Sequence, residues 1–338
     1  MKVLAYAAHE AGAELLPYEY DAGPLGRLEV DVRVTHCGVC HTDLGMIDDE
    51  FGYASFPVVA GHEAVGVVEA VGDDVDPDAL PIGSRVGIGA IAGSCFGCEW
   101  CLRGRHQFCP QRDDTVLRGH RGAFAQHVRA SDWRHAYRIP DALSSAEAAP
   151  LLCAGTTVFG QLLRYDVRPT DRVAIVGVGG LGHVAIQFYA AWGCTVTAIS
   201  SSRSKEDDAR GFGAAAVIAS SENGALDAHR GEFDFILSTV SADLPWDDYL
   251  GLLAPGGTLC LVGVPQKPFT VGPMALLPQA KALVGGVPGS VDDTRRMLAF
   301  AAAHDVRPVI ETFPVADSGA ALDRVRTGSA RYRAVLEM

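Results

Sequence analysis

Four cysteines, Cys95, Cys98, Cys101 and Cys109, stand at CxxCxxCx7C spacing within one short stretch of the chain. Thiolates so closely spaced can wrap a single tetrahedral metal ion, and zinc is the ion that such a set takes. The competing use of cysteines is disulfide bonding, which needs an oxidising compartment. The opening segment MKVLAYAAHEAGAELL has no basic stretch followed by a long apolar one, so a cytoplasmic protein with reduced thiols is expected. Four thiolates saturate zinc and leave no position for water or substrate, so this lobe reads as a structural site.

Chemistry is therefore sought at other residues. Cys40 lies in CGVCHTD, His62 in GHEAVG and Cys153 in LLCAGTT. Two thiolates and one imidazole would leave a fourth zinc position open. Each residue also has a plainer reading: Cys37 with Cys40 as a redox pair, His62 as a core histidine, Cys153 beside Leu151 and Leu152 as a buried apolar thiol. His62 and Glu63 do not begin an HExxH helix, because Gly66 occupies its last position, which excludes a metalloprotease of that type.

Such residues need a scaffold, and 338 residues allow about two domains. A hydrophobic fraction of 48% with 38 glycines fits a well-cored globular chain rich in tight turns. The net charge of −13 disfavours nucleic acid or an anionic membrane as partner. No apolar run is long enough to span a bilayer, and no internal repeat is visible. Residues 28–34 alternate in polarity through Leu28, Val30, Val32 and Val34, while 64–71 and 85–89 are short, valine-rich and bounded by glycine, so the first part reads as mainly β. After Pro169 the pattern becomes strand, glycine turn, helix, strand, helix, with nearly continuous apolar strands such as VAIVG and FDFILSTV. That is the βαβ alternation of a parallel sheet covered on both faces. A helix over 292–303 and a closing YRAVLEM strand then return to a mixed pattern. The expected division is residues 1–153 with 290–338 in one domain and 154–289 in the other.

Between VAIVG and its helix, Gly177, Gly179 and Gly182 form GVGGLG, a GxGxxG turn with Gly180 and Leu181 inside it. At a strand-to-helix junction this spacing lets backbone approach a dinucleotide pyrophosphate. At the end of the second strand, where an acidic residue usually takes the ribose hydroxyls, stands Ser200, followed by Ser201, Ser202, Arg203, Ser204 and Lys205. Hydroxyl and cationic donors without a carboxylate favour a 2′-phosphate, and hence NADP over NAD. The serines also suit the start of the next helix, a use compatible with phosphate binding. Thr157, Thr239, Val240 and Val264 are further cofactor-binding candidates.

Taken together, CGVCHTD, GHEAVGVVEAVG, the four-cysteine lobe, LLCAGTTVFG, VGVGGLGH and RYRAVLEM resemble the zinc-dependent medium-chain alcohol dehydrogenases, most nearly their cinnamyl alcohol dehydrogenase-like branch. The resemblance runs in order along essentially the whole chain. It implies an α/β architecture: a mainly-β GroES-like catalytic domain with both zinc sites, interrupted by a Rossmann doubly wound domain that binds NADP(H). It also implies catalytic zinc on Cys40, His62 and Cys153, with Glu63 beside the metal and able to exchange with bound water, and structural zinc on Cys95, Cys98, Cys101 and Cys109. Asp43 would orient the ligand histidine. Thr42 would hydrogen-bond the substrate oxygen and pass its proton towards the cofactor. His41 and Arg333 would face the cofactor phosphates, Arg333 being otherwise an exposed strand arginine. Cys37, Cys194 and Cys260 are left as non-ligands.

One position departs from the pattern. Many relatives carry a histidine five residues after the cysteine ligand to hand the proton to solvent, and Gly45 stands there instead. The leading expectation is an NADP(H)-linked alcohol dehydrogenase or aldehyde reductase for an aromatic or medium-chain aldehyde. The loss at Gly45 keeps open an imine or conjugated-enal reductase on the same scaffold. A catalytically silent zinc and NADP sensor is a third reading, against which stand the complete ligand set and Thr42. Phe51, Tyr53, Trp100 and Val287 are substrate-pocket candidates, each equally able to serve in packing. The apolar TLCLVGV and KALVGGV strands at a sheet edge suggest a homodimer.

Overall fold

The computed structural model describes residues 1–117, 121–265 and 267–338, which divide into two compact units. The first comprises Met1–Thr156, Ser290–Ala303 and Pro308–Met338, and the second Thr157–Gly289 with His304–Arg307. The second unit thus begins at Thr157 where the sequence reading put 154, and it also takes His304–Arg307, which that reading placed in the first. Gln187 anchors this outlying segment: its side-chain amide donates to the Arg307 carbonyl at 2.9 Å and accepts from the Arg307 N–H at 3.0 Å.

In the first unit the strand Val30–Val39 is the axis of a sheet. Ala64–Val71 pairs with it antiparallel, followed by Arg85–Ile88 and Tyr137–Arg138. On its other side lies Arg333–Glu337, antiparallel, with Ala334 opposite Val39, and beyond that Ile310–Pro314. The alternation read from the sequence buries Val30, Val32 and Val34 in the core and leaves Arg33 exposed. Strand Arg333–Glu337 therefore completes, from far along the chain, the same sheet that carries Cys37 and Val39.

In the second unit six described strands form a parallel sheet in the order Ala216–Ala219, Thr195–Ser200, Arg172–Val176, Phe233–Ser238, Leu253–Leu261, Ala282–Gly285. This is the doubly wound sheet that the apolar strands predict: Val173, Ala174, Ile175, Ile236 and Leu237 are fully buried because both faces are covered. The order reverses at Arg172–Val176, whose neighbours lead away in opposite directions. Ligands of such sheets bind at the carboxyl ends of the strands flanking that point. No described helix is long and apolar enough to cross a membrane.

One buried histidine of the first unit carries a pH dependence. His135 is almost fully buried, with Ser94 Oγ at 3.0 Å from its Nε2 and Tyr137 Oη at 3.4 Å from its Nδ1. Burial pushes its pKa down to about 4. The unfolded chain takes up this proton near pH 6.5 and the folded chain does not, so stability falls as pH drops from about 6.5 to about 4 and is flat below. The loss should reach about 3 kcal/mol. Urea unfolding at pH 7 and pH 4.5 checks it: His135→Gln should be visibly less acid-sensitive than the parent, and parallel losses would refute the assignment.

Candidate active site

Cys40 ends the strand Val30–Val39 and caps the helix His41–Ile47. Asp43, at the third position of that helix, turns its carboxylate back on the cap, accepting from the Cys40 N–H at 3.0 Å through Oδ2. Its Oδ1 accepts from the Gly61 N–H at 2.8 Å and from His62 Nδ1 at 2.8 Å. One buried carboxylate thus fixes a helix start, a loop and an imidazole together. Both Asp43 oxygens accept from backbone N–H groups, so His62 Nδ1 is the donor to Oδ1 and Nε2 is turned the other way, where Cys153 Sγ lies at 3.3 Å. Cys153 comes from a π-helical turn, Leu151–Gly155, between two α-helices. Such turns widen the helix by one residue and re-aim the side chain they carry.

The metal-capable atoms of Cys40, His62, Glu63 and Cys153 all lie within 4.8 Å of one another. Zinc bonds of about 2.0–2.3 Å place tetrahedral donors roughly 3–4 Å apart, so the set fits one ion. Its electrostatics point the same way. Hydrogen bonding with Cys153 holds the Cys40 thiol well below its ordinary range, helped by His62, and the same contact with burial pushes Cys153 well above. Burial penalises ionising both thiols together, and a bound metal cation would relieve that penalty. Burial alone would lower the His62 pKa, but the Asp43 carboxylate overrides it and holds the pKa well above normal.

Burial pushes the Glu63 carboxyl up to about 7, partly offset by Arg333. The Arg333 guanidinium donates from one Nη2 to both Glu63 Oε1 and, at 3.2 Å, the Val39 carbonyl. The other carboxylate oxygen, Oε2, is buried with no hydrogen-bond partner among the described residues. A carboxylate oxygen orphaned beside two thiols and an imidazole suits exchange onto a metal. Gly38 makes room for it, since a Cβ there would collide with Glu63 Oε2. Arg333 is not exposed on its strand, the plainer of its two expected settings, but buried at 4% exposure against Glu63.

The four cysteines of the lobe likewise converge, Cys109 Sγ lying 3.5 Å and Cys101 Sγ 4.0 Å from Cys95 Sγ, with none of them bridged. The Cys98 N–H donates to Cys95 Sγ at 3.3 Å and the Cys95 N–H to Cys109 Sγ at 3.4 Å. Backbone N–H groups of Gly97 and Cys98 pull the Cys95 thiol down to about 6, whereas burial pushes Cys101 up to about 12. Amide donors aimed at sulfur favour thiolates, the form that a metal binds. Trp100 packs edge-on against Phe108 at 5.7 Å inside this lobe, a structural contact.

In the second unit Gly177 has φ +95°, and a Cβ there would strike Val240 and Thr239. A Cβ on Gly182 would collide with the Gly177 carbonyl, so both glycines are required by close packing of turn, helix and neighbouring strand. Gly179 looks onto open space with nothing within 4 Å, which leaves backbone free to meet a pyrophosphate at the start of helix Gly182–Trp192. Thr239 Oγ1 donates to the Val176 carbonyl at 2.9 Å, closing the turn from the next strand. Ser201 and Ser202 are exposed beyond strand Thr195–Ser200, and Lys205 Nζ reaches back to the Val178 carbonyl at 2.9 Å within the glycine turn. Arg203 is bound to Glu222 and Glu206, two carboxylates that the sequence reading did not connect with it.

Of the remaining candidates, Thr42 Oγ1 lies 3.9 Å from Cys40 Sγ, within the cluster's reach. His41 is exposed, as is Val264, and Thr157 is buried. Gly45 is covered: a Cβ there would come within 2.8 Å of the Phe51 ring, which stacks on Tyr53 at 5.8 Å. Val287 offers its carbonyl to Gln161 Nε2 at 2.8 Å. The roles of Gln161 and Glu222 are set by Val287 and Arg203, partners well removed in sequence, and leave no spacing signal.

Residues 26–141 match the alcohol dehydrogenase GroES-like domain family, and residues 180–303 the zinc-binding dehydrogenase family. The chain is 40% identical over 334 residues to the aldehyde reductase AdhA of Synechocystis sp., covering 99% of this chain and 98% of that protein. It is 38% identical to the NADP-dependent alcohol dehydrogenase C 1 of Mycolicibacterium smegmatis, over 99% and 97% of the two chains. The cinnamyl alcohol dehydrogenase SbCAD4 of Sorghum bicolor has the same fold, with a TM-score of 0.93 at 37% identity over 100% of this chain and 98% of that one. The chain belongs to the zinc-dependent medium-chain alcohol dehydrogenase family and is an oxidoreductase. Within that family it stands in the cinnamyl alcohol dehydrogenase-like branch.

Proposed function

We propose that the protein is an NADP(H)-linked aldehyde reductase with two zinc ions per chain, one held by Cys40, His62 and Cys153 and one by Cys95, Cys98, Cys101 and Cys109. The observation that carries this reading is the meeting, in the first unit, of two thiols, an oriented imidazole and a carboxylate oxygen with no hydrogen-bond partner among the described residues. When bound, zinc in that cluster would supply Lewis-acid polarisation of a carbonyl and NADPH would supply the hydride. The chain's own residues do the rest. Asp43 fixes the His62 tautomer and the Cys40 backbone. Thr42 places a hydroxyl where it can hold and pass a proton at the substrate oxygen. Arg333 keeps Glu63 in place and balances its charge. The glycine turn takes the pyrophosphate, and the hydroxyls after Ser200 take the 2′-phosphate.

The substrate class proposed is an aromatic or medium-chain aldehyde. With NADPH, kcat/KM for such aldehydes should exceed that with NADH by at least about tenfold, since a charged subsite discriminates at this level or better. Equal values with the two coenzymes would sink the NADP reading, and metal analysis giving one zinc per chain would sink the two-site reading. Gly45 favours a second reading, reduction of an imine or conjugated enal, because no relay histidine stands there and the Phe51 ring covers the position instead. Including imines and enals in the substrate panel separates the two. The strand Ala282–Gly285 ends the parallel sheet, and we infer a homodimer formed along that edge, testable by scattering. The unbridged cysteines fit a reducing, cytoplasmic setting.

A further inference from the structure

Arg203 sits just beyond the strand Thr195–Ser200, beside the serines to which the 2′-phosphate was assigned. All three of its guanidinium nitrogens are engaged by carboxylates. Nε donates to Glu222 Oε1 at 2.8 Å and Nη2 to Glu222 Oε2 at 3.2 Å, a two-pronged pair, while Nη1 donates to Glu206 Oε2 at 2.9 Å. Glu206 in turn accepts from Arg210 at 2.9 Å. Two arginines and two glutamates thus neutralise one another locally. An isolated exposed pair would be weak, but a two-pronged arginine–carboxylate pair inside a network is the stronger kind.

Glu222 does not meet Arg203 by chance of side-chain rotation alone, because the backbone brings it there. The strand Ala216–Ala219 pairs in parallel with Thr195–Ser200, putting Ala219 opposite Ser200. Immediately beyond, the Ser220 N–H donates to the Ser200 carbonyl at 2.7 Å and Ser221 Oγ to the Ser201 carbonyl at 2.5 Å. The segment 220–222 is therefore docked along the segment that begins the phosphate-reading loop. A carboxylate fixed next to that loop competes with an incoming phosphate for the same guanidinium.

We propose that Glu222 sets the coenzyme preference by holding Arg203 in an internal ion pair, so that the 2′-phosphate is read by the serine hydroxyls and Lys205 while Arg203 is withheld. This rests on the NADP(H) reading above. It adds a residue, Glu222, that limits how strongly NADPH is favoured, and it removes Arg203 from the phosphate ligands.

The test is a titration of purified, zinc-loaded protein with NADPH and with NADH, followed by nicotinamide fluorescence, for the parent, Glu222→Gln and Arg203→Gln/Glu222→Gln. Glu222→Gln removes the two-pronged partner and leaves Arg203 only its single contact with Glu206, so it should lower Kd for NADPH relative to NADH by about fivefold to tenfold, the scale of one charge pair near a surface. Neutralising both residues should bring the ratio back to within about twofold of the parent, because the pair contributes no net charge. No gain in Glu222→Gln overturns the proposal. If the gain persists in the double variant, Glu222 acts by simple repulsion and the clamp is wrong. If the double variant falls well below the parent, Arg203 is already a phosphate ligand and the clamp is again wrong. The parent's own preference is a separate readout: equal affinity for the two coenzymes refutes the NADP(H) reading, while the shifts between variants still decide the role of Glu222. Thermal unfolding of each variant shows whether it is folded, which is expected because both side chains are about half exposed.

Discussion

Asp43→Ala should lower zinc affinity at the Cys40–His62–Cys153 cluster by about 10–100-fold, the usual effect of removing a carboxylate that orients a ligand histidine. It should also destabilise the first unit by roughly 3 kcal/mol or more, since three buried donors lose their acceptor at once, each worth about 1–3 kcal/mol. Those donors are the Cys40 N–H, the Gly61 N–H and His62 Nδ1, all within 3.0 Å of the carboxylate. Asp43→Asn should fall between: its carbonyl can still accept on one side, but its amide presents hydrogens to a donor on the other. Zinc content after dialysis against a graded chelator, together with urea unfolding, measures both effects. Zinc content equal to the parent's and an unchanged midpoint in Asp43→Ala would mean that the carboxylate does not organise the cluster.

Arg333→Met is the second large effect, and it should cost about 3–5 kcal/mol, as expected when one partner of a buried ion pair is removed. Methionine approximates the arginine stem but leaves the Glu63 carboxylate buried with neither of its oxygens paired to a cation. The Glu63 pKa, already pushed up to about 7 with Arg333 present, would then rise further, because its main charge-stabilising neighbour is gone. The variant should therefore lose most stability above neutral pH, where ionised Glu63 is unsupported, and regain part of it as falling pH protonates the group. Glu63→Gln/Arg333→Met should recover much of the loss, since neither charge remains. A single-variant loss below about 1 kcal/mol would place this pair with exposed ones.

The sequence revealed some parts of this arrangement and concealed others for definite reasons. The cysteine lobe and the glycine turn are legible because their chemistry is local: Cys95 to Cys109 and Gly177 to Gly182 each close on themselves within a few turns of backbone. The parallel sheet is legible because burial on both faces leaves its strands nearly free of polar residues. Cys153 is harder, since its aim depends on the π-helical turn Leu151–Gly155, and neither Pro150 before it nor the apolar leucines announce the extra residue. Arg333 reads as an ordinary strand arginine until strand pairing carries it to Glu63, and Phe51 gives no hint that its ring lies over Gly45. Arg203 shows the general limit most clearly: a cation in the right loop looks like a phosphate ligand until Glu222 arrives from the neighbouring strand.

Glu63 and Arg333 are separated by 270 residues, and the whole second unit is made between them. At about 5–20 residues per second, ribosomal synthesis leaves Glu63 waiting on the order of tens of seconds for its cation. During that interval strand Val30–Val39 has one hydrogen-bonding edge open where Arg333–Glu337 will insert. Until that strand arrives the first unit lacks the guanidinium that pairs with Glu63, and metal capture before closure would favour the ion that is most available over the ion that fits best.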